Sequence, residues 1–385
     1  MQVRETSIHK TSGFPSYFFH TLIKHRHKRM TMITYMFPGQ GSQIKGMGKN
    51  LFSKFPNLTQ KADSILGYSI EDLCLNDPQK ELNQTQFTQP ALYVVNALSY
   101  RSKIQQTGKK PDFVVGHSLG EYNALEASGG ITFEDGLKLV QRRGMLMSQA
   151  PLGSMAAVIG ATGEQVEKLL KKYGFDTIDV ASFNSPEQVV ISALKEDIVK
   201  ASHIFQEAGT QYVILNTSGA FHSRYMESSK VQFEKFLKGF SFYELQIPVI
   251  SNVTAQPYVQ SEIAENLAKQ ITHSIKWNES IRYLLAQGDV EFEEMGVGTV
   301  LTKLITYIKG KEKPLEIEKT SDNWTVQEKV DRWNLTHPIG LKVSVAGYES
   351  QLETRTEAII LFGHRAAIYM KGYNGYFALD EVTPA

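Results

Sequence analysis

The chain has 385 residues, of which 42% are hydrophobic and 21% charged, so it can bury a sizeable core in one large domain and one or two small ones. Its formal net charge of +1 argues against nucleic acid or a membrane surface as partner, and there is no apolar run of about 18 residues that predicts a membrane span. The single cysteine, Cys74, excludes an internal disulfide framework and is typical of a reducing compartment such as the cytoplasm.

Residues 1–31 are predicted to be a disordered leader. The first 30 residues hold six Lys/Arg and one acidic residue, and the main basic cluster follows the apolar patch, whereas a secretory signal places its charge first. We interpret the leader as sequence upstream of a start site at Met30 or Met32. A targeting or docking tail is the alternative.

Strands and helices alternate over residues 32–151 and again over 218–309. A strand at 33–37 ends in a glycine-containing turn, and Pro90 is predicted in the first turn of a helix over 91–106 that stops at Gly108. A short strand at 113–115 runs into a turn at 116–120 and a helix to about residue 127. This alternation predicts a large α/β catalytic domain with a mainly parallel, hydrolase-like sheet.

The two remaining regions have different patterns. Residues 152–217 follow the order βαββαβ, which predicts a ferredoxin-like subdomain inserted into the large domain. Residues 310–334 are charged and partly helical and are predicted to be a linker. Short strands separated by turns over 335–385 predict a small C-terminal β domain that resembles a barrel.

The strongest chemical signal is Gly-x-Ser-x-Gly at residues 116–120, between a predicted strand and a predicted helix. A serine on such a turn exposes its hydroxyl at a helix N-terminus, where backbone N–H groups favour developing negative charge. Because the pattern also arises by chance, its position between strand and helix is what favours Ser118 as a nucleophile.

A serine nucleophile needs a base, and ten histidines compete for that role. Four lie in the leader, His117 adjoins the serine, and the others are predicted in a helix, an isolated loop or the C-terminal strands. His222 follows a strand and a loop of small residues, which favours it without excluding the rest.

The turn at Gly39-Gln40-Gly41 fails the dinucleotide-binding pattern because Ile44 stands where the third glycine belongs. It is either a plain tight turn or a loop whose N–H groups face a tetrahedral intermediate formed on the serine.

Seven motifs in order resemble the malonyl-CoA:acyl-carrier-protein transacylase family over residues 33–309. They are FPGQGSQ at 37–43, TQPA at 88–91, GHSLGE at 116–121, RG at 143–144, FNSP at 183–186, His222, and EMGVG at 294–298. The C-terminal β region also resembles that of free-standing acyltransferases serving polyketide synthases that lack built-in ones.

The resemblance implies catalytic roles for five residues. Ser118 would be the nucleophile and His222 the base, oriented by the backbone carbonyl of Gln270 rather than by an acidic residue. The N–H groups of Gln40 and Leu119 would form the oxyanion hole.

The resemblance also implies how substrate is bound. Arg143 would bind the free malonyl carboxylate, because a guanidinium can donate two parallel hydrogen bonds to the two carboxylate oxygens. The alternative is that Arg143 is a helix arginine that faces solvent. Gln89, Asn184 and His117 would line the site, and Phe221 would crowd an α-methyl group.

The expected function is transfer of malonyl from malonyl-CoA to the phosphopantetheine thiol of an acyl carrier protein, or of a carrier domain of a polyketide synthase. Polyketide synthesis is the expected pathway, with fatty-acid synthesis as the other use. No metal or redox cofactor is expected. The alternatives are an acyl-thioester hydrolase that edits carrier proteins and a non-catalytic docking protein.

Overall fold

The computed structural model describes residues 31–311, 326–348, 350–361 and 365–385. The predicted leader up to residue 30, residues 312–325 of the predicted linker, and residues 349 and 362–364 of the predicted C-terminal β domain lie outside these ranges. The described residues form two compact units, one ending at Lys311 and one beginning at Val326.

The first unit is a mixed α/β fold around a parallel sheet. Its four strands are β1 (Met32–Phe37), β2 (Phe113–Gly116), β7 (Val249–Ile250) and β8 (Val290–Glu294). They lie in the order β7-β2-β1-β8, and all neighbours are parallel. Phe37 pairs with Gly116, so the loops that follow β1 and β2 leave the same edge of the sheet side by side.

The side chains of β1 alternate between two hydrophobic clusters, one on each face of the sheet. Tyr35 and Phe37 belong to the larger cluster, whereas Met36 belongs to a second cluster around the fully buried Trp277. The helices that build this unit outside residues 152–217 are α1 (Lys49–Phe52), α2 (Pro56–Leu66), α3 (Ile70–Leu75), α4 (Thr85–Thr107), α5 (Gly120–Ala127), α6 (Phe133–Ser148), α9 (Glu227–Leu237), α10 (Ile263–Gln270), α11 (Trp277–Leu285) and α12 (Val300–Lys311).

The prediction that Pro90 lies in the first turn of a helix over 91–106 was wrong. The helix begins at Thr85, and Pro90 lies inside it. The carbonyl of Gln84 accepts hydrogen bonds from the N–H groups of Phe87 and Thr88, and the Thr88 hydroxyl also donates to it, at 3.0 Å. These bonds close a helical turn ahead of the proline.

Residues 153–214 of the first unit carry an antiparallel sheet of their own. Its strands are β3 (Gly153–Ile159), β4 (Asp179–Ser185), β5 (Gln188–Leu194) and β6 (Gln211–Ile214), in the order β4-β5-β3-β6. Two helices, α7 (Gly163–Lys172) and α8 (Lys195–Glu207), contribute Val166, Leu170 and Phe205 to a hydrophobic cluster with the sheet.

The second unit is built from one helix and short antiparallel strands. The helix is α13 (Val326–Thr336), and the strands are β9 (Lys342–Val345), β10 (Leu352–Glu353), β11 (Ile359–Leu361), β12 (Arg365–Tyr369), β13 (Tyr376–Ala378) and β14 (Val382–Pro384). They form two three-stranded sheets, β10-β9-β14 and β11-β12-β13. Val330 and Trp333 of α13 pack with both sheets in one hydrophobic cluster.

Within the described ranges, no helix combines the length and the apolar character needed to cross a membrane.

Candidate active site

Ser118 lies on the turn between β2 and α5, in a left-handed backbone conformation with φ of 51°. This region is costly for a residue with a side chain, so neighbouring groups must hold it there. Asn252, which follows β7, does so from two sides. Its Oδ1 accepts a hydrogen bond from the Ser118 N–H at 2.7 Å, and its Nδ2 donates to the Gly116 carbonyl at 2.7 Å.

His222 is the histidine that the fold brings to Ser118. Its Nε2 lies 2.8 Å from Ser118 Oγ, and its Nδ1 lies 2.7 Å from the backbone carbonyl of Gln270. Because a carbonyl can only accept, Nδ1 carries the proton and Nε2 is free to accept the serine proton. Burial, with the charge of Arg143 as a smaller cause, lowers the pKa of His222 to about 3, so the imidazole is neutral at neutral pH.

Arg143, on α6, is 1% exposed and contacts the same serine. Its Nη2 donates to Ser118 Oγ at 3.0 Å and to Gln270 Oε1 at 2.9 Å, and its Nη1 donates to Gln89 Oε1 at 2.8 Å. Its guanidinium also lies 5.6 Å from the centre of the Tyr122 ring. Burial lowers the pKa of Arg143 from its ordinary value, and the nearby Tyr122 and Glu121 partly oppose this effect. All three hydrogen-bond acceptors are neutral, so the buried positive charge of Arg143 faces Ser118 Oγ and has no counter-ion among these hydrogen-bond partners.

The backbone N–H groups of Gln40 and Leu119 have no hydrogen-bond acceptor within the described part of the chain. Both residues line the cavity at Ser118. The loop after β1 approaches closely: a Cβ on Gly39 would lie 2.4 Å from the His117 carbonyl oxygen. Only glycine permits this approach, which brings the two N–H groups to the same edge of the sheet.

His117, Asn184 and Phe221 also line the cavity, whose volume is about 280 Å³, enough for a small acyl group. The His117 Nε2 lies 2.9 Å from Asn184 Oδ1, and its ring packs against Trp277. Burial lowers the pKa of His117, so this imidazole is neutral too. Every site residue predicted from the sequence except Gln270 lines this one cavity, and Gln270 contacts three of them.

Sequence reasoning missed three residues around Ser118. Glu121 belonged to a quoted motif but had no role, whereas Asn252 and Tyr258 carried no signal. In the structure Asn252 braces the serine, and Glu121 accepts hydrogen bonds from Asn252, Tyr258 and Gln270. Their separations along the chain exceed 130 residues, so no local spacing rule could have found them.

The described residues contain no group of three or more His, Cys, Asp or Glu side chains placed to hold a metal ion. What the site offers is a serine hydroxyl bonded to a neutral imidazole, unpaired backbone N–H groups and a buried cation. This set suits attack on an acyl group and recognition of an anionic substituent.

A family model for the acyl transferase domain matches residues 34–306, more than half of the chain. The chain is 58% identical over 282 residues to the polyketide biosynthesis malonyl CoA-acyl carrier protein transacylase BaeC of Bacillus velezensis, covering 73% of this chain and 98% of that protein. It is 57% identical over 280 residues to PksC of Bacillus subtilis, a transacylase of the same description, covering 72% and 97%.

Solved structures are similar over the same region. A malonyl CoA-acyl carrier protein transacylase from Burkholderia pseudomallei has a TM-score of 0.72 at 51% identity, covering 73% of this chain and 99% of that one. A malonyl-transacylase in complex with its type II polyketide synthase acyl carrier protein has a TM-score of 0.70 at 33% identity, covering 73% and 94%. The chain belongs to the malonyl-CoA–acyl carrier protein transacylase family of acyl transferases.

Proposed function

We propose that the protein transfers malonyl from malonyl-CoA to the phosphopantetheine thiol of an acyl carrier protein through an ester on Ser118, in polyketide biosynthesis. The observation that carries this proposal is the buried Arg143 guanidinium, which donates to the nucleophile itself and has neutral acceptors on its other bonds. A substrate with a carboxylate two bonds from its thioester carbonyl supplies the missing anion.

In the first half-reaction Ser118 Oγ forms a bond to the thioester carbonyl carbon while its proton moves to His222 Nε2, 2.8 Å away. The Gln40 and Leu119 N–H groups would stabilise the oxyanion. The carbon–sulfur bond then breaks, and the imidazolium returns its proton to the coenzyme A thiolate. The Gln270 carbonyl, which accepts from Nδ1, favours the imidazolium that forms in between.

Arg143 would select the substrate. In the ligand-free site its Nη2 donates to Ser118 Oγ, so a malonyl carboxylate would replace the hydroxyl as acceptor and release the serine from this bond. The carboxylate would also cancel the positive charge that contributes to the low pKa of His222, making the imidazole a better base when the right substrate is bound.

In the second half-reaction the carrier thiol gives its proton to His222 and attacks the malonyl ester. The tetrahedral intermediate collapses to the malonyl thioester, and Ser118 recovers its proton from His222. A structural relative solved together with its acyl carrier protein supports a carrier as the acceptor. Each step uses only groups of the chain and its two substrates, with no metal or redox cofactor.

The hydrolase alternative has no support among the relatives, whose names describe transacylases. A hydrolase for uncharged acyl groups would also bring no carboxylate to the buried Arg143 guanidinium. The docking-protein alternative leaves the Ser118–His222 pair and the buried Arg143 unexplained.

We also propose the finer domain assignments. The strand order β4-β5-β3-β6 with two helices supports a ferredoxin-like subdomain over 152–217 within a hydrolase-like catalytic domain (32–151 and 218–309). The two small sheets support a barrel-like domain over 335–385, after a linker at 310–334 to which α13 contributes. The single buried cysteine supports a cytoplasmic location.

The test is intact-mass spectrometry of the protein after incubation with malonyl-CoA. We expect one added malonyl group, its absence in Ser118→Ala, and its loss when a phosphopantetheinylated carrier protein is added. Malonyl that leaves Ser118 rapidly as free malonate, with none appearing on the carrier, would instead support the hydrolase.

A further inference from the structure

Glu121 is a buried carboxylate behind the nucleophile, in the first turn of α5 and 0% exposed. Its hydrogen-bond donors are neutral: the Asn252 N–H and the Tyr258 hydroxyl, both at 2.8 Å on Oε1, and the Gln270 side-chain amide on Oε2. Burying a carboxylate on neutral donors is expensive for a protein, and a hydrophobic or amide side chain would avoid that cost.

One route leads from Glu121 to the serine backbone. Glu121 holds the N–H of Asn252, and the Asn252 side chain bonds both to the N–H of Ser118 and to the carbonyl of Gly116. These are the bonds that keep Ser118 in its left-handed conformation. Displacement of Asn252 would let the nucleophile relax away from His222.

The other route leads through Gln270 to the base and the cation. Gln270 Nε2 donates to Glu121 and, at 2.9 Å, to the Ser118 carbonyl, which orients the amide so that its Oε1 faces Arg143. The backbone carbonyl of the same residue holds His222 Nδ1. A single glutamine thus connects the Glu121 carboxylate to Ser118, His222 and Arg143.

We propose that Glu121 is a positioning residue of this site: acting through Asn252 and Gln270, its carboxylate sets the geometry of Ser118 and His222 and keeps the guanidinium of Arg143 aimed at the acyl carboxylate. This inference rests on the proposed function. Glu121 is not one of the residues that line the cavity, and its carboxylate has no hydrogen bond to Ser118 Oγ, so the carboxylate positions the site through these partners.

The chemistry requires a carboxylate because only the ionised group offers two oxygens that accept hydrogen bonds without carrying a proton. In Glu121→Gln the side-chain amide must keep its oxygen toward the Asn252 N–H, which leaves its NH2 facing the Gln270 NH2. Gln270 can relieve that conflict only by rotating its amide, which turns the Gln270 NH2 toward Arg143 and removes an acceptor from the guanidinium. Either arrangement disturbs the recognition of malonyl.

The ionisation of Glu121 offers a second readout. Burial raises the pKa of Glu121 to about 7, while its three hydrogen bonds and the charge of Arg143 oppose the rise. The other ionisable groups facing it are Tyr122 and Tyr258, both with pKa values raised by burial and therefore neutral. Protonation of Glu121 has the same donor conflict as the amide, so malonyl loading should decline as the pH falls below about 7.

The experiment measures single-turnover loading of the full chain by malonyl-CoA and by acetyl-CoA across pH. We expect Glu121→Gln to slow malonyl loading by about tenfold or more. The malonyl-to-acetyl ratio should fall, and the pH dependence near 7 should disappear.

Glu126→Gln is the matched control, because Glu126 also lies on α5 with its side chain 6% exposed but pairs with Arg101 away from the site. It should lower thermal stability and leave both the ratio and the pH profile unchanged.

Tyr258→Phe provides a milder variant if Glu121→Gln does not fold. Removing one hydrogen-bond donor should raise the pKa of Glu121, so the fall in malonyl loading rate on the acid side of the pH profile should begin at a higher pH. The positioning role would be overturned if Glu121→Gln kept the wild-type malonyl-to-acetyl ratio and pH profile, or if the pH profile of Tyr258→Phe were not shifted. Either result would leave the proposed transacylation intact. Wild-type protein that takes no malonyl from malonyl-CoA would contradict the proposed function instead.

Discussion

Ser118 Oγ, the nucleophile in the proposed mechanism, also accepts a hydrogen bond from the Arg143 guanidinium. The same hydroxyl lies 2.8 Å from His222 Nε2 and 3.0 Å from Arg143 Nη2. A substrate that brings its own anion competes with the serine for the guanidinium, whereas an uncharged acyl group does not. In the proposed mechanism, selectivity for malonyl and release of the Ser118 hydroxyl are therefore linked at one residue.

This arrangement predicts the effect of Arg143→Ala. Loss of a charge-assisted pair from a buried pocket costs about 2–4 kcal/mol, so malonyl loading should fall by tens to hundreds of times relative to acetyl loading. The measurement is the ratio of the two acyl enzymes by intact mass. Arg142→Ala is the control, because that neighbour lies over the Phe236 ring instead. If the malonyl-to-acetyl ratio were the same in the wild type, Arg143→Ala and Arg142→Ala, the Arg143 guanidinium would not bind the malonyl carboxylate.

The position and low pKa of His222 lead to predictions for the loading rate and for the pH dependence of stability. His222→Gln should slow loading by about 10²–10⁴-fold, the usual contribution of a general base. In the wild type the low pKa of His222 means that the unfolded chain binds a proton below about 6.5 while the folded chain does not, so stability is lost as the pH falls from 6.5 toward 3.

Urea unfolding of the wild type and His222→Gln at pH 7 and pH 5 tests that linkage. Between these values the variant should lose about 2 kcal/mol less stability than the wild type. The raised pKa of Glu121 acts with the opposite sign in this window, stabilising the folded state at lower pH, but it is common to both proteins and leaves their difference unchanged. Equal losses in the two proteins would mean that His222 titrates normally.

The sequence predicted the residues to which we assign the chemistry, but not the residues that position them. Ser118 was found from a local strand–turn–helix pattern, and Arg143 and Gln270 from the family resemblance. His222 could not be separated from the other histidines by spacing alone, because its partner lies 104 residues away. Asn252 and Tyr258 had no signal because their function is a contact made only after the sheet has formed.

At the level of elements, the turn that carries Ser118 depends on how closely α5 packs against β1. A Cβ on Gly120, the first residue of α5, would lie 2.0 Å from the carbonyl oxygen of Phe37, which is backbone and cannot move aside. The glycine after the serine is thus required by packing between two elements and not by the chemistry of the turn.

Gly120→Ala should therefore destabilise the first unit by about 3 kcal/mol or more and abolish malonyl loading by shifting Ser118. Gly310→Ala is the matched control, since a Cβ there meets no atom within 4 Å and alanine favours the α12 helix. Chemical denaturation of both variants is the measurement. A stability loss for Gly120→Ala no larger than that of the control would contradict the close packing described here.

Element boundaries were predictable where the signal is local and not elsewhere. The turn that starts α4 depends on the Gln84 carbonyl and the Thr88 hydroxyl, which the proline signal at residue 90 concealed. Strands β10 and β14 are two and three residues long and exist because Leu352 and Val382 pair with β9. Such short segments have too few residues to show an alternating pattern.

At the scale of the whole molecule, the two units have separate hydrophobic cores. The clusters of the first unit contain only residues between 33 and 308, and that of the second only residues between 326 and 382. The family match ends at residue 306, so the second unit lies beyond the region that identifies the family. The residues that line the cavity at Ser118 all belong to the first unit.

Truncation after Lys311 should therefore leave a folded protein that still loads malonyl onto Ser118 at a rate close to that of the full chain. Neither the cavity nor the clusters of the first unit lose a residue by this cut. The measurements are thermal unfolding and the single-turnover loading rate of the truncated protein beside the full chain. Trp333→Ala in the full chain is the companion variant, because Trp333 belongs to the second unit's hydrophobic cluster. It should lower the stability of that unit by about 3 kcal/mol and leave loading unchanged. Insoluble or inactive truncated protein, or a loading rate that falls with Trp333→Ala, would show that the catalytic unit depends on the C-terminal one.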